Sequence, residues 1–264
     1  MKKLTHLLSC IYTGVLAASF SYPAAAAPNP NDKNDFSLGV EGFYDAYNEP
    51  QIDVNINTYY GSITGKWIHK WNPFFTALDG RYSVGTDNYS SPSGTFSGAV
   101  EDETDDRIRV GANLGAFAPY LGLGVRYFVD NGKGEVTSLG AFGYDRRITQ
   151  LYAPIGITYT HTTDSGWILS PNIEFDPLLY GNVNSRLGTV PGFYNINNTQ
   201  HSGYGVRGEF MVGWNVNKLE LQCGPFVRYW NIHDSDVTTD PAGNQWIEPH
   251  NNRTQYGLAF RMLW

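Results

Sequence analysis

The chain has 264 residues, with 18 Lys+Arg against 25 Asp+Glu, and is 41% hydrophobic, 15% aromatic and 16% charged. That is too apolar for a disordered chain and enough for one sizeable folded domain, while a formal net charge of −7 argues against nucleic acid as a partner. Two cysteines, Cys10 and Cys223, exclude a disulfide framework and a Cys-rich zinc site.

Residues 1–26 read as an export signal. Lys2 and Lys3 precede a mostly apolar run from Leu4 to Phe20, and Ala24 to Ala27 supply small residues for cleavage after Ala26. Residues 27–35 then form a polar arm, and 36–264 the folded domain. No later stretch has the apolar length of a transmembrane helix. A membrane would have to be crossed by strands.

From residue 36 onward the apolar residues recur with period two. In 36–45, Phe36, Leu38, Val40 and Tyr44 share one parity, and Ser37, Glu41 and Asp45 the other. The same alternation predicts strands at 59–71, 74–84, 107–116, 120–130, 147–159, 167–175, 204–214, 219–229 and 256–264, ten in all. Connections of two kinds alternate between them: tight turns, of which Asn72-Pro73 is the shortest, and five longer polar stretches at 48–58, 86–106, 131–145, 176–203 and 231–252. An even-stranded antiparallel sheet closing on itself in a membrane has this layout, with its short turns on the periplasmic side. Pro154, Pro171 and Pro225 fall inside predicted strands, where bulges are expected because proline cannot donate to the ladder.

Aromatic residues gather at both ends of these strands. Phe36, Trp67, Trp71, Phe74, Phe117, Tyr120, Trp167, Trp214 and Trp264 mark the short-turn ends. Tyr44, Tyr59, Tyr82, Tyr127, Phe175, Tyr204, Tyr229 and Tyr256 mark the others, as two interfacial girdles would. A soluble barrel or sandwich with the apolar parity inward is the competing reading.

The last segment alternates through Tyr256, Leu258, Phe260 and Met262 to Trp264. It resembles the assembly signal of bacterial outer-membrane β-barrel proteins, and with the leader and strand layout the resemblance covers the whole mature chain. The segments 43–50, 228–232 and 248–254 are similar to small porin-family or opacity-like surface proteins. The resemblance implies an all-β, ten-stranded up-and-down barrel in a Gram-negative outer membrane after Sec-dependent export. It implies lipopolysaccharide, phospholipid and the barrel assembly machinery as partners, and small solutes or a host surface as possible ones.

The polar parity would line the lumen with Glu41, Asp45, Lys66, Asp79, Arg81, Arg107, Arg109, Arg126, Glu174, Arg207, Glu209, Glu220, Arg228 and Arg261. These groups either pair into a network filling a small barrel, or leave a narrow channel whose arginine excess prefers anions. No HExxH, GxSxG, phosphate loop or CxxC occurs after the leader. The expectation is therefore a non-enzymatic structural or narrow porin-like protein without cofactor or metal, with a surface adhesin as the alternative. His233-Asp234-Ser235-Asp236 is similar in residue types to the omptin proteases, and His233, Ser235 and Glu248 to lipid A-modifying enzymes. The acidic run 101–106 reads as a solvated loop, and His201, His233 and His250 as surface residues.

Overall fold

The computed structural model describes residues 33–264, so the export signal and most of the arm lie outside the described residues. The first five elements are β1 (Asn34–Glu49), β2 (Val54–Trp71), β3 (Phe74–Ser91), β4 (Gly94–Ala112) and β5 (Phe117–Asn131). Then come β6 (Asp145–Tyr152), β7 (Ile155–Tyr159), β8 (His161–Thr162), β9 (Ile168–Ser185) and β10 (Ile196–Gln200). The chain ends with β11 (Gly203–Val216), β12 (Leu219–Ile232), β13 (Thr238–Thr239), β14 (Gln245–Trp246) and β15 (Asn251–Leu263). Each element pairs antiparallel with its neighbours, and β15 closes on β1 from Ser37 opposite Leu263 to Asn48 opposite Asn252. Closure leaves no sheet edge to satisfy.

Ten staves make the wall, because β6, β7 and β8 are one interrupted stave and β10 with β11 another. One interruption falls at Pro154, whereas Pro171 and Pro225 lie inside the continuous strands β9 and β12. Leu121 pairs with Ile155 and Gly124 with Tyr152, so the register against β5 is unchanged across Pro154. Pro171 pairs in register with Phe210, and Pro225 with Leu258. No bulge stands at Pro171 or Pro225, where the proline removes a donor locally without altering the alternation of side chains, but beside Pro154 the expected irregularity is present: the stave breaks between Tyr152 and Ile155, and its register against β9 shifts at Leu151/Tyr152. A second register shift lies at Thr86/Asn88 on β3.

Alternation puts the apolar parity outside. Leu38, Val40, Ile63, Leu78, Ile108, Leu121, Leu123, Ile155, Ile173, Val227, Leu258 and Phe260 are exposed, and the opposite parity is buried. The soluble alternative, which needs these residues inside, is thereby excluded. The girdle residues stand outside at their expected ends, Tyr59 at 70% exposure and Trp71 at 60%. Tyr120 is the correction: it is 5% exposed and points inward, where its hydroxyl donates to Glu174.

The two ends of the barrel differ. At one, the turns are short; Asn217 takes φ 56 in the two-residue turn between β11 and β12, a left-handed conformation that asparagine tolerates. At the other, two of the five expected long loops are strand. The 48–58 stretch is a turn between β1 and β2, and 86–106 is a hairpin whose turn is Pro92-Ser93. The ladder continues where both faces are polar, so hydropathy alternation stops before the strand does. True loops remain at 132–144, 186–195 and 233–250, the last carrying the β13–β14 hairpin.

Candidate functional site

All fourteen lumen candidates stand on the inward parity. Nine arginines and ten carboxylates inside the barrel are joined in ion pairs within 4.0 Å. Toward the short-turn end, Arg109 holds Asp79 through two 2.7 Å bonds, Arg107 reaches Glu174 at 2.7 Å, and Arg261 pairs with Glu209. Arg228 donates both to Glu41 at 2.8 Å and onto the Phe226 ring 3.9 Å away. Lys66 lies opposite Asp79 in the ladder, and Glu220 sits near the short-turn mouth, accepting from Gln222 at 2.6 Å.

The middle layer is the densest. Arg81 meets Glu103 at 2.6 Å, Arg126 meets the same carboxylate at 3.1 Å, and Gln255 donates to it at 2.8 Å. Arg207 spans Asp105 at 2.6 Å and Asp176 at 2.5 Å, and donates to the Tyr152 hydroxyl, which itself donates to Asp105. Arg126 is also stacked between Phe128 and Trp230 at 4.6 and 4.4 Å, contacts that suit a planar, weakly hydrated cation. Glu103, Gln255, Tyr152 and Asp176 are 0% exposed, so the layer is closed to water. Above it, cavities of about 10 and 20 Å³ lie around Arg253 and Phe128. That is room for about one water each.

Sequence reasoning missed half of the acids. Glu101, Glu103 and Asp105 belong to the run assigned to a solvated loop, yet they are buried on β4, with Glu103 and Asp105 paired to arginines. Glu49, Asp176 and Glu248 also face inward and hold arginines, against two further bases, Arg146 and Arg253. The expected arginine excess is thereby reversed, and the anion preference loses its basis. The alternation of Glu101, Glu103 and Asp105 with Asp102, Thr104 and Asp106 was the available signal.

At the long-loop rim, His201 meets Asp236 at 3.0 Å with both side chains exposed. His233 contacts the Ser202 hydroxyl at 3.1 Å and the His250 ring at 6.0 Å between centroids, so the His–carboxylate contact belongs to His201 rather than His233. Among the described residues no set of three His, Cys, Asp or Glu is placed to hold a metal ion. Burial and the neighbouring Glu49 lift Glu248 to about 7 despite Arg146 beside it. On the outer wall, Asp106 is the one charged residue between the two girdles among the described residues, level with Gly80 on β3 and Val125 on β5. In the last stave Tyr256, Leu258, Phe260 and Met262 share the outward parity.

No protein-family model matches the sequence, and no curated protein matches it. Among solved structures the chain is similar to the outer membrane protease OmpT from Escherichia coli, with 10% identity over 88% of this chain and 95% of that one, at a TM-score of 0.52. The β domain of the Bordetella autotransporter BrkA matches with 9% identity over 87% of this chain and 99% of that one, at a TM-score of 0.44. Identities this low concern the fold alone. With its closed register, outward apolar parity and two aromatic girdles, the chain has the fold of the bacterial outer-membrane β-barrel proteins, as a ten-stave antiparallel member.

Proposed function

We propose that this protein sits in the outer membrane as a closed, non-enzymatic barrel that carries a structured extracellular ribbon and loops. The observation that carries this reading is the fully buried ion-paired layer of Arg81, Glu103, Arg126, Asp105 and Arg207. Buried pairs of this kind fill a small lumen without the continuous hydrated path that conduction needs. The apolar wall faces lipopolysaccharide and phospholipid, and the outward parity of β15 is what the assembly machinery would read after Sec-dependent export.

Single-channel recording of the folded barrel in a planar bilayer tests this reading. The expected result is no discrete openings from the wild type. Ion-selective openings that change with Arg109→Ala or Arg126→Ala would overturn it in favour of a narrow pore.

The same reading puts the working surface on the loops. Leu139, Phe142, Phe193, Val237 and Ile247 are exposed there, and Phe193 packs against Trp246 at 6.2 Å. Exposed apolar groups on a long-loop rim favour contact with a host or neighbouring-cell surface. Whole-cell binding lost on Phe193→Ser and Leu139→Ser would support it.

A further inference from the structure

Three inward carboxylates above the tyrosine girdle stand apart from the paired network. Asp87 on β3, Glu101 on β4 and Asp130 on β5 occupy neighbouring staves, and none makes an ion pair among the described residues. Glu101 and Asp130 are direct partners in the ladder, where two like charges oppose each other. The register shift between Thr86 and Asn88, together with Gly98 at φ 101 on the facing strand, sets Asp87 beside this pair. Asp87 is 2% exposed, and neither of its oxygens makes a well-formed hydrogen bond, the Ala99 amide on β4 being its near but misaligned donor; Asp130 Oδ1 has no partner either. Only Glu101 is satisfied, accepting from the Thr58 and Tyr60 hydroxyls at 2.7 Å each.

Every neighbouring element has been assigned other work. From β6, Arg146 is held by Glu49 on β1 and by Glu248 in the last loop. From β15, Arg253 is drawn to Asp45 on β1 at 3.5 Å. β1 adds Asp45, which faces Glu101, and the 132–144 loop adds Glu135, which faces Asp87, both acidic. Arg146 and Arg253 act on Asp130 from a distance, and Arg253 on Glu101, but neither makes an ion pair with the three carboxylates, so Asp87 and Asp130 are tolerable beside Glu101 when they hold protons and repel it when they do not.

We propose that Asp87 and Asp130, gathered around Glu101, form a proton-operated latch, which holds the β3–β4 ribbon against β5 while these two aspartates are protonated and loosens it when they ionise. The 132–144 loop would move with the ribbon, since Thr137 Oγ1 donates to the Ser93 carbonyl at 2.5 Å and Ser138 N to the Thr95 carbonyl at 2.9 Å. Burial, then the Glu101 charge, pushes Asp87 and Asp130 up to about 7. Both folded values lie above the ordinary carboxylate range, so the unpenalised protonated state prevails at acid pH. The ribbon loses hold as pH rises through about 7. The latch does not depend on whether the lumen conducts or on what the loops bind.

The test is hydrogen exchange followed by mass spectrometry on the full barrel in detergent, at pH 5.5 and 8.5, corrected for intrinsic exchange. Amides of 86–100 and 133–143 are expected to exchange at least about tenfold faster at pH 8.5 while those of β12 and β15 hold. In the Asp87→Asn/Asp130→Asn variant, which keeps shape and removes charge, protection should stay high at both pH values. The Asp164→Asn variant, altered in the exposed turn before β9, should behave as wild type. Equal protection of the wild type at both pH values, or a pH response that survives the double substitution, would overturn the latch. So would millimolar calcium restoring protection at pH 8.5, which would make the triad a metal site instead.

Discussion

The lower and upper halves of this barrel share one hydrogen-bonded wall but obey different rules. In the lower half, lipid outside and paired charge inside force a strict alternation: Leu78 and Ile108 face out while Asp79 and Arg109 face in. In the upper half, water replaces lipid. There the β3–β4 ribbon runs on to Pro92-Ser93 with Asn88 and Ser90 on one parity and Asp87 and Tyr89 on the other. Strand geometry survives because backbone pairing does not depend on the solvent, whereas hydropathy alternation reports only the lipid boundary.

Charge pairing separates the halves as well. The middle layer pairs each carboxylate with a guanidinium, and the upper half leaves Asp87 and Glu101 on the ribbon and Asp130 on β5 without an ion pair. Structural rigidity is therefore expected below, and conformational response above.

The largest predicted effect breaks the lower network. Glu103→Ala leaves Arg81 and Arg126 buried without their shared counter-ion, and is expected to cost about 3–5 kcal/mol in urea unfolding of the vesicle-embedded barrel. A loss under about 1 kcal/mol would mean that Asp105 and Gln150 carry the layer instead. Next comes the wall. Asp106→Leu removes the one lipid-facing charge among the described residues and should stabilise the barrel by about 1 kcal/mol, since acids on a lipid face cost less than the roughly 2–4 kcal/mol of bases. Destabilisation on that substitution would identify Asp106 as a contact to another membrane component. The smallest effect belongs to the loops: a short polar tag inserted at Ala242, in the β13–β14 turn, should leave stability within about 0.5 kcal/mol, read by the same unfolding curve. A larger loss would show that the last loop braces the barrel through Glu248 and Arg146.

What was legible in the sequence follows the same division. Below the tyrosines, period-two alternation located all ten staves, their apolar parity and the aromatic ends, because lipid penalises every polar residue on the face that meets it. Pro171, Pro225 and Tyr120 escaped this reading. Proline affects one hydrogen bond rather than the parity, and an aromatic at a strand end carries no mark of which side it faces.

Above the tyrosines the sequence was silent about strands, so 86–106 read as loop and its acids as solvated. The chain by itself determined ten antiparallel staves with one apolar and one charged parity, since these are consequences of local alternation, whereas the structure decided that the apolar parity faces out. Only the tertiary structure decided which charges meet. Arg207 lies 102 residues from Asp105, and Gln255 lies 152 from Glu103. Such pairs form because shear and closure bring distant staves to one level of the lumen, a geometry that no window of sequence contains.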